Sequence, residues 1–367
     1  KHLHVLPAVV VLFLDLEWND PQWPERQVHC ANLLQELRNN LQDRNTRIAL
    51  VLLQKNTPQE DLLASERAAS LTNACGITNK MMFILPHNDH LMGYILRLES
   101  AFLEMAQTYY ATMSKTIRSH REQLATPSHV TLRIRHQFKL GFVAEMRSDF
   151  STALKHYSQA YATLDDIKIT DQNCLEIKTV AGFLNYKICR LMFKLNIPRD
   201  SINQFMTHIE KYKEQIGYKD LIFEHYAWLS MQNSTFADLF CEAIKNGLPA
   251  LQTQHPGIYY HKGSEYIVKR RNAFRVCCSL SPEIGPTTVP ISTAFSTITT
   301  AQEMERAFNH SAVIIHLLGL AMNQYKQYRC MRFKKKITIE MAKEYHASGD
   351  HSKALTYRSI PDICEDT

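Results

Sequence analysis

Asp15, Glu17 and Asp20 follow the uncharged run Val5 to Leu14, and carboxylates just beyond a strand are where α/β proteins hold ligands or cations. A ligand- or nucleotide-binding α/β module using this acidic cluster is one reading. It lacks support from elsewhere in the chain: no matching Lys and no phosphate-cradling Gly-rich turn follows. Trp18, Pro21 and Trp23 suit the packing of a fixed loop equally well. His87-Asn88-Asp89-His90 places three potential metal ligands within four residues. Structural zinc takes four, no Cys or His pair of compatible spacing occurs elsewhere, and Asp89 serves as well as the N-cap of a following helix. No metal and no cofactor is therefore expected.

The nine cysteines form no Cys-x-x-Cys pair and are too sparse for a disulfide-stapled module, which fits a reducing compartment. Adjacent Cys277 and Cys278 read as a buried helical pair. No P-loop, Gly-x-Ser-x-Gly or kinase signature is present, so no catalytic residue is expected. Two basic clusters, Lys269-Arg270-Arg271 and Arg332 with Lys334-Lys335-Lys336, have the charge to touch anionic headgroups. Solvated helix faces are the plainer reading. The 42 Lys and Arg exceed the 36 Asp and Glu by six, and aromatic residues are not interleaved as base-stacking platforms require, so no nucleic-acid partner is expected.

These residues must be held by elements that the hydrophobic pattern outlines. Val9–Leu14, Ile48–Leu53 and Met81–Leu85 are short aliphatic runs that read as buried strands. Between the first two, Val28, Ala31, Leu34, Leu37 and Leu41 recur at helical spacing; between the second and third, Ala64, Ala68, Leu71 and Cys75 do so. Parallel strands need a crossover of a dozen or more residues, and separations of this size predict a short parallel sheet.

From about Asp89 onward the period is helical. The stripes are Leu98, Phe102, Met105 and Tyr109, then Ile134, Phe138, Phe142 and Met146, then Ile177, Ala181, Leu184, Ile188, Leu191 and Leu195. Eleven glycines in 367 residues is under half the usual share of about 7%, which suits helices and predicts few tight turns. Leu140-Gly141, Asp149-Phe150, Ala153, Tyr157 and Ala160 reproduce a tetratricopeptide unit, in which small residues sit where two helices cross. Met341-Ala342, Tyr345, Gly349-Asp350 and Ala354-Leu355 do so again, and Pro198, Ser201 and Phe205 are a weaker echo.

The expected fold class is mainly α, a tetratricopeptide-like α-solenoid preceded by a small α/β module with a short parallel sheet. Expected divisions are 1–90 for that module, 91–280 for the solenoid, 281–302 for a Ser/Thr/Pro-rich linker or discontinuity, and 303–367 for further tetratricopeptide-like helices. The run Val5–Leu14 is too short for a membrane span of about twenty residues, and no small-x-small cleavage site marks it as a signal peptide. Lacking an initial Met, the sequence is expected to be a piece of a longer chain.

Several strings are distinctive together: Asp15-Leu16-Glu17-Trp18-Asn19-Asp20-Pro21-Gln22-Trp23, Ser65-Glu66-Arg67-Ala68-Ala69, and Leu85-Pro86-His87-Asn88-Asp89-His90-Leu91-Met92-Gly93-Tyr94. To these add Arg135-His136-Gln137-Phe138-Lys139, Glu176-Ile177-Lys178-Thr179, Gly182-Phe183-Leu184-Asn185-Tyr186-Lys187-Ile188-Cys189-Arg190-Leu191, and Gln252-Thr253-Gln254-His255-Pro256-Gly257-Ile258-Tyr259-Tyr260. By them the chain resembles the foie gras domain family over residues 5–270 and again over 310–355, departing from it at 281–302.

The resemblance implies a non-catalytic scaffold subunit of the TRAPP III vesicle-tethering and Rab1 guanine-nucleotide-exchange complex, acting in ER-to-Golgi transport and autophagy. Its implied partners are other TRAPP subunits, a Rab1-type GTPase reached indirectly through the complex, and the Golgi membrane by peripheral contact. The implied location is the cytoplasm, at the early Golgi and the ER–Golgi intermediate compartment. It supplies no catalytic residues and leaves the partner-binding residues unknown.

Overall fold

A computed structural model describes residues 6–42, 44–54, 62–87, 91–122, 129–249, 253–280 and 293–358. Among these, the three apolar runs form β1 (Val9–Asp15), β2 (Arg47–Gln54) and β3 (Met82–Pro86). They make a parallel sheet in the order β1-β2-β3, with Leu12 opposite Leu50 and Leu50 opposite Met82. Helices α1 (Trp23–Leu41) and α2 (Leu62–Cys75) are the two crossovers. Leu34 of α1 and Leu71 of α2 join Leu50, Leu52 and Leu16 in one buried cluster. The α1 face differs from the expected one at its start: Val28 is exposed, and Trp23, Cys30 and Leu34 are the buried positions. Spacing alone fits both sets, and Trp23 prevails because it has the larger apolar surface to bury.

The central strand is apolar toward both faces, which demands cover on both. Ala49 and Val51 are fully buried on the face away from α1 and α2. Phe83, opposite Val51 in register, meets Phe102 of the long helix α3 (Leu91–Glu122) edge-on at 5.8 Å. The compact unit around the sheet therefore comprises residues 1–125 with 139–149. The expected division at residue 90 thus falls short of the first long helix, which belongs to the sheet's unit. Tyr109, Tyr110 and Ile117 of α3 pack with Leu140 and Val143 of α4 (Val130–Met146). Because four-residue steps advance 400°, the stripe Ile134, Phe138, Phe142 and Met146 drifts round the helix. Met146 ends exposed, and Leu140, Val143 and Ala144 take the buried positions.

The second unit comprises 126–138 and 150–367. Its helices are α5 (Phe150–Thr163), α6 (Cys174–Lys194), α7 (Pro198–Tyr212), α8 (Ile222–Lys245), α9 (Pro256–Leu280), α10 (Thr293–Arg306), α11 (His310–Gln327), α12 (Met331–Ala347) and α13 (His351–Arg358). Neighbours in the chain pack on one another from α5 to α7, α8 on α9, and α11 to α13; α6 also meets α8, and α9 meets α11. The main core runs through them from Cys189 and Phe205 through Phe236, Tyr259 and Leu318 to Tyr325 and Met341. Most of the tetratricopeptide positions are buried as expected, but Leu355 of the second match is exposed. Ala153, Tyr157, Ala160 and Ser201 are fully buried, with Phe205 nearly so. Helix α10 corrects the linker reading over 293–302; residues 281–292 lie outside the described residues. No Pro or Gly interrupts Thr293–Arg306, and Ser and Thr lower helix propensity by only tenths of a kcal/mol each.

Cys277 is half-buried and Cys278 exposed, correcting the expected buried pair. Phe223, in the first turn of α8, packs edge-on at 5.3 Å against Phe274, the last residue of α9 to be buried among those whose side chains are described. The final turn of α9 runs past that end.

The scarcity of glycine does not remove the turns. Ser148, Asn196, Gly247, Arg329 and Gly349, at the ends of α4, α6, α8, α11 and α12, all adopt positive φ. After each, the next N–H donates to the carbonyl five residues before it: Asp149 to Ala144, Ile197 to Met192, Leu248 to Ala243, Cys330 to Tyr325, and Asp350 to Tyr345, at 2.9–3.0 Å. Gly76 after α2 does the same, with Ile77 donating to Thr72 at 3.1 Å, so among the described residues this helix-ending device occurs six times, three times with a residue that strains to adopt it. Ser148→Gly and Arg329→Gly are each expected to raise stability by about 0.5–1 kcal/mol, read as a higher urea midpoint. A lower midpoint would show that side-chain contacts outweigh the strain.

Candidate interaction site

The acidic cluster separates on folding. Asp20 builds the loop into α1: Oδ1 accepts from the Gln22 N–H at 2.8 Å, and Oδ2 lies 3.5 Å from Arg26 Nε. Its carbonyl accepts from the Trp23 N–H at 3.2 Å. Glu17 is half-buried and also partnered. Arg67, from α2, donates to the carbonyls of Trp18 and Asp20 and lies 5.0 Å over the Trp23 ring. Trp18 and Trp23 meet at 5.4 Å. The strings Asp15–Trp23 and Ser65–Ala69 are thus one structural joint between β1 and α2.

Asp15 alone is free of that joint. It stands with Gln54, Leu85, Pro86, His87 and Leu91 around a cavity at the carboxyl ends of the strands. Of the histidine motif only His87 is described. Its N–H donates to the Gln54 carbonyl at 2.6 Å, and Asn88, Asp89 and His90 lie outside the described residues.

The first basic cluster is largely consumed internally. Arg270 binds Glu305 through two nitrogens, with Nε to Oε1 at 2.7 Å, and its guanidinium lies 3.9 Å over Phe308. His310 Nε2 sits 2.7 Å from the same Oε1. Arg271 is bidentate to Glu344, whose Oε1 also accepts from Ser311 Oγ at 2.6 Å. The headgroup reading therefore fails for Arg270 and Arg271. In the second cluster Lys336 lies 3.4 Å from Glu265 and 3.7 Å from Glu340.

The helical unit hides titratable groups that spacing did not reveal. Lys178, 2% exposed, has Nζ 3.0 Å from His225 Nδ1 and 5.6 Å from the Trp228 ring centre. His225 Nε2 lies 2.9 Å from the Lys213 carbonyl. A carbonyl only accepts, so Nε2 carries the proton and Nδ1 accepts from Lys178. Burial pushes Lys178 below the usual ammonium range. Burial, with Lys178 adding to it, pushes His225 down to about 4. His208, 2.8 Å from the Tyr161 hydroxyl, is pushed to about 4, chiefly by burial. His255 is also pushed to about 4 by burial. Its Nδ1 accepts from the Gly257 N–H at 3.2 Å, capping α9, and a side chain on Gly257 would collide with that ring. His255-Pro256-Gly257 is thus a helix start. Lys178 and His225 had only one sequence signal, polar residues on otherwise apolar helices.

A groove of about 250 Å³ runs between α6 and α8. Gly182 leaves room for the end of the Gln232 side chain, whose Nε2 would lie 2.7 Å from a Cβ there. Phe183 and Met231 remain half-exposed along it beside Tyr186 and Thr235. Apolar side chains held open on rigid helices are suited to contacts with another surface. The sequence reading placed no partner site, and Phe183, lying beside the buried stripe, carried the only signal for one. No helix among the described residues is long and apolar enough to cross a membrane.

Residues 173–360 match the family described as Foie gras liver health family 1. Over 386 aligned positions, covering 97% of this chain, the sequence is 44% identical to trafficking protein particle complex subunit 11 of Bos taurus. The same identity and coverage hold for the proteins of that name from Gallus gallus and Homo sapiens. The chain spans 34% of each, about a third of the length of the curated relatives it matches.

Proposed function

Since this chain belongs to the foie gras family, whose model matches just over half of it, we propose that it is a non-catalytic scaffold portion of a TRAPP complex subunit. The observation that carries the reading is its 44% identity, over 97% of its length, to trafficking protein particle complex subunit 11. The helical unit supports it. Consecutive helices bury one face each and leave apolar residues such as Phe183, Met231 and Phe333 at the surface, which is the economy of an interaction array. In this reading the assembly is TRAPP III, which exchanges nucleotide on a Rab1-type GTPase through other subunits and serves ER-to-Golgi transport and autophagy. Its location is the cytoplasm, peripherally at the early Golgi and the ER–Golgi intermediate compartment. Golgi membrane contact arises through the assembly and not through Arg270 and Arg271, which are engaged with Glu305 and Glu344.

Affinity purification of the complex from cells with and without the full-length protein is expected to show loss of a subset of TRAPP subunits. The isolated chain is expected to give no nucleotide exchange on the GTPase. Unchanged complex composition, or exchange by the chain alone, would sink the reading.

A further inference from the structure

We propose that Cys30 and Cys75 are a reversible oxidation site, at which hydrogen peroxide joins α1 to α2 through a disulfide bond. Both belong to the buried cluster beneath the two crossover helices. The fold brings these thiols together from 45 residues apart in the chain, and their sulphurs lie at 3.6 Å. That is contact without a bond, since a disulfide measures about 2.0 Å. Closing it takes a further approach of about 1.6 Å. Cys75 is the last residue of α2, and Gly76 follows it at positive φ, so the adjustment falls at a helix end, where the turn frays.

One sulphur of the pair is equipped as the nucleophile. Arg38 of α1 donates through Nη2 to the carbonyls of Cys75 and Gly76, and so holds a guanidinium near the Cys75 thiol. The hydrogen bond from Cys30, reinforced by the Arg38 charge, keeps Cys75 below the usual thiol range. Cys30 is held above it by that same bond and by burial. The thiolate is the attacking form. Both residues are 1% exposed, but Ala74 and Gly76 on either side of Cys75 are exposed and Arg38 is half-buried. Opening of this last turn alone admits an oxidant little larger than water.

In the first step the Cys75 thiolate attacks one peroxide oxygen, the O–O bond breaks, and the departing hydroxide takes up a proton as water. Cys75 is then a sulfenic acid. In the second step the Cys30 sulphur attacks that of Cys75, the S–O bond breaks, and the Cys30 proton leaves with the hydroxyl as a second water. Two thiols lose two electrons and two protons, and one peroxide becomes two waters.

The test treats the intact, folded chain with a few equivalents of hydrogen peroxide, alkylates the remaining thiols in denaturant, and reads the peptides by mass spectrometry. A linked Cys30–Cys75 pair, two hydrogens lighter than its separate peptides and released by dithiothreitol, is expected. Dimedone, which traps sulfenic acid, should label Cys75 at least about tenfold more in Cys30→Ser than in the unsubstituted chain, where the neighbouring thiol captures it first. The linkage is read on the unsubstituted chain, so the test stands if Cys30→Ser does not fold. Cys278 is exposed and reports access alone. Oxidised Cys278 beside fully alkylated Cys30 and Cys75, linkage that appears only in urea, or Cys75 joined mainly to another cysteine would each overturn the proposal. The scaffold reading uses neither thiol and survives such a failure.

Discussion

Arg271→Met is expected to destabilise the helical unit by about 3–5 kcal/mol, more than any surface substitution in it. The guanidinium on α9 is bidentate to Glu344 on α12, and Ser311 on α11 closes the triangle. Side-chain exposures are 16% for Arg271 and 7% for Glu344, so solvent screens the pair weakly. Methionine preserves most of the packing and removes the countercharge, leaving a carboxylate that only one hydroxyl satisfies. The loss comes from that stranded charge and not from the worth of the pair itself. Arg271→Met with Glu344→Gln should therefore recover more than half of it. Urea unfolding followed by helical circular dichroism measures both variants; a double variant no more stable than Arg271→Met would refute the stranded-charge account.

Acidification should act at three separate places. His208, His225 and His255 are buried neutral, each lowered to about 4 from an ordinary value near 6.5. Between those two values the unfolded chain binds protons that the folded chain refuses, so stability falls as pH falls. The contribution is intact above about 6.5, and each imidazole costs the fold up to about 3 kcal/mol by pH 4. Lys178 adjoins His225 and Lys211 acts on His208, both cations that reinforce the direction. Stability from denaturant curves at pH 7, 6, 5 and 4 should decline steeply, and His255→Asn should flatten the decline by about a third if the three act alike. An unchanged midpoint down to pH 4.5, or imidazole resonances titrating near 6.5, would show that these rings are open to protons.

Much of the architecture was legible because it rests on short-range pattern. Aliphatic runs about 30 residues apart with amphipathic spacers leave little choice but parallel strands joined by helices, and all three strands formed within a residue of where the runs lie. The α6 stripe buried Ile177, Ala181, Leu184, Ile188 and Leu191, since a long regular stripe specifies its own face, while its last member Leu195, at the helix end, is exposed. Short or strictly four-spaced stripes did not, as Val28 and Met146 show, because two faces fit them and only neighbours choose between them. Helix α3 could have been assigned to the sheet from sequence, since an all-apolar central strand requires cover on both sides.

The site was less legible. Asp15, Glu17 and Asp20 look alike in sequence, yet Asp20 serves the start of α1 while Asp15 faces a cavity. That difference is made by Arg67 and Gln54, which lie 47 and 39 residues beyond Asp20 and Asp15.

By itself the sequence determined the mainly helical class, the small parallel sheet, the tetratricopeptide spacing and the family strings, all of which depend on residues within a turn, a strand or a repeat of one another. Only the tertiary structure decided which charges are free and which polar atoms lack partners. Arg271 meets a carboxylate 73 residues away, Arg270 one 35 away, and Gln54 binds a carbonyl 38 residues before it. Electrostatic and hydrogen-bond satisfaction depends on distance in space, and no periodicity along the chain encodes that distance.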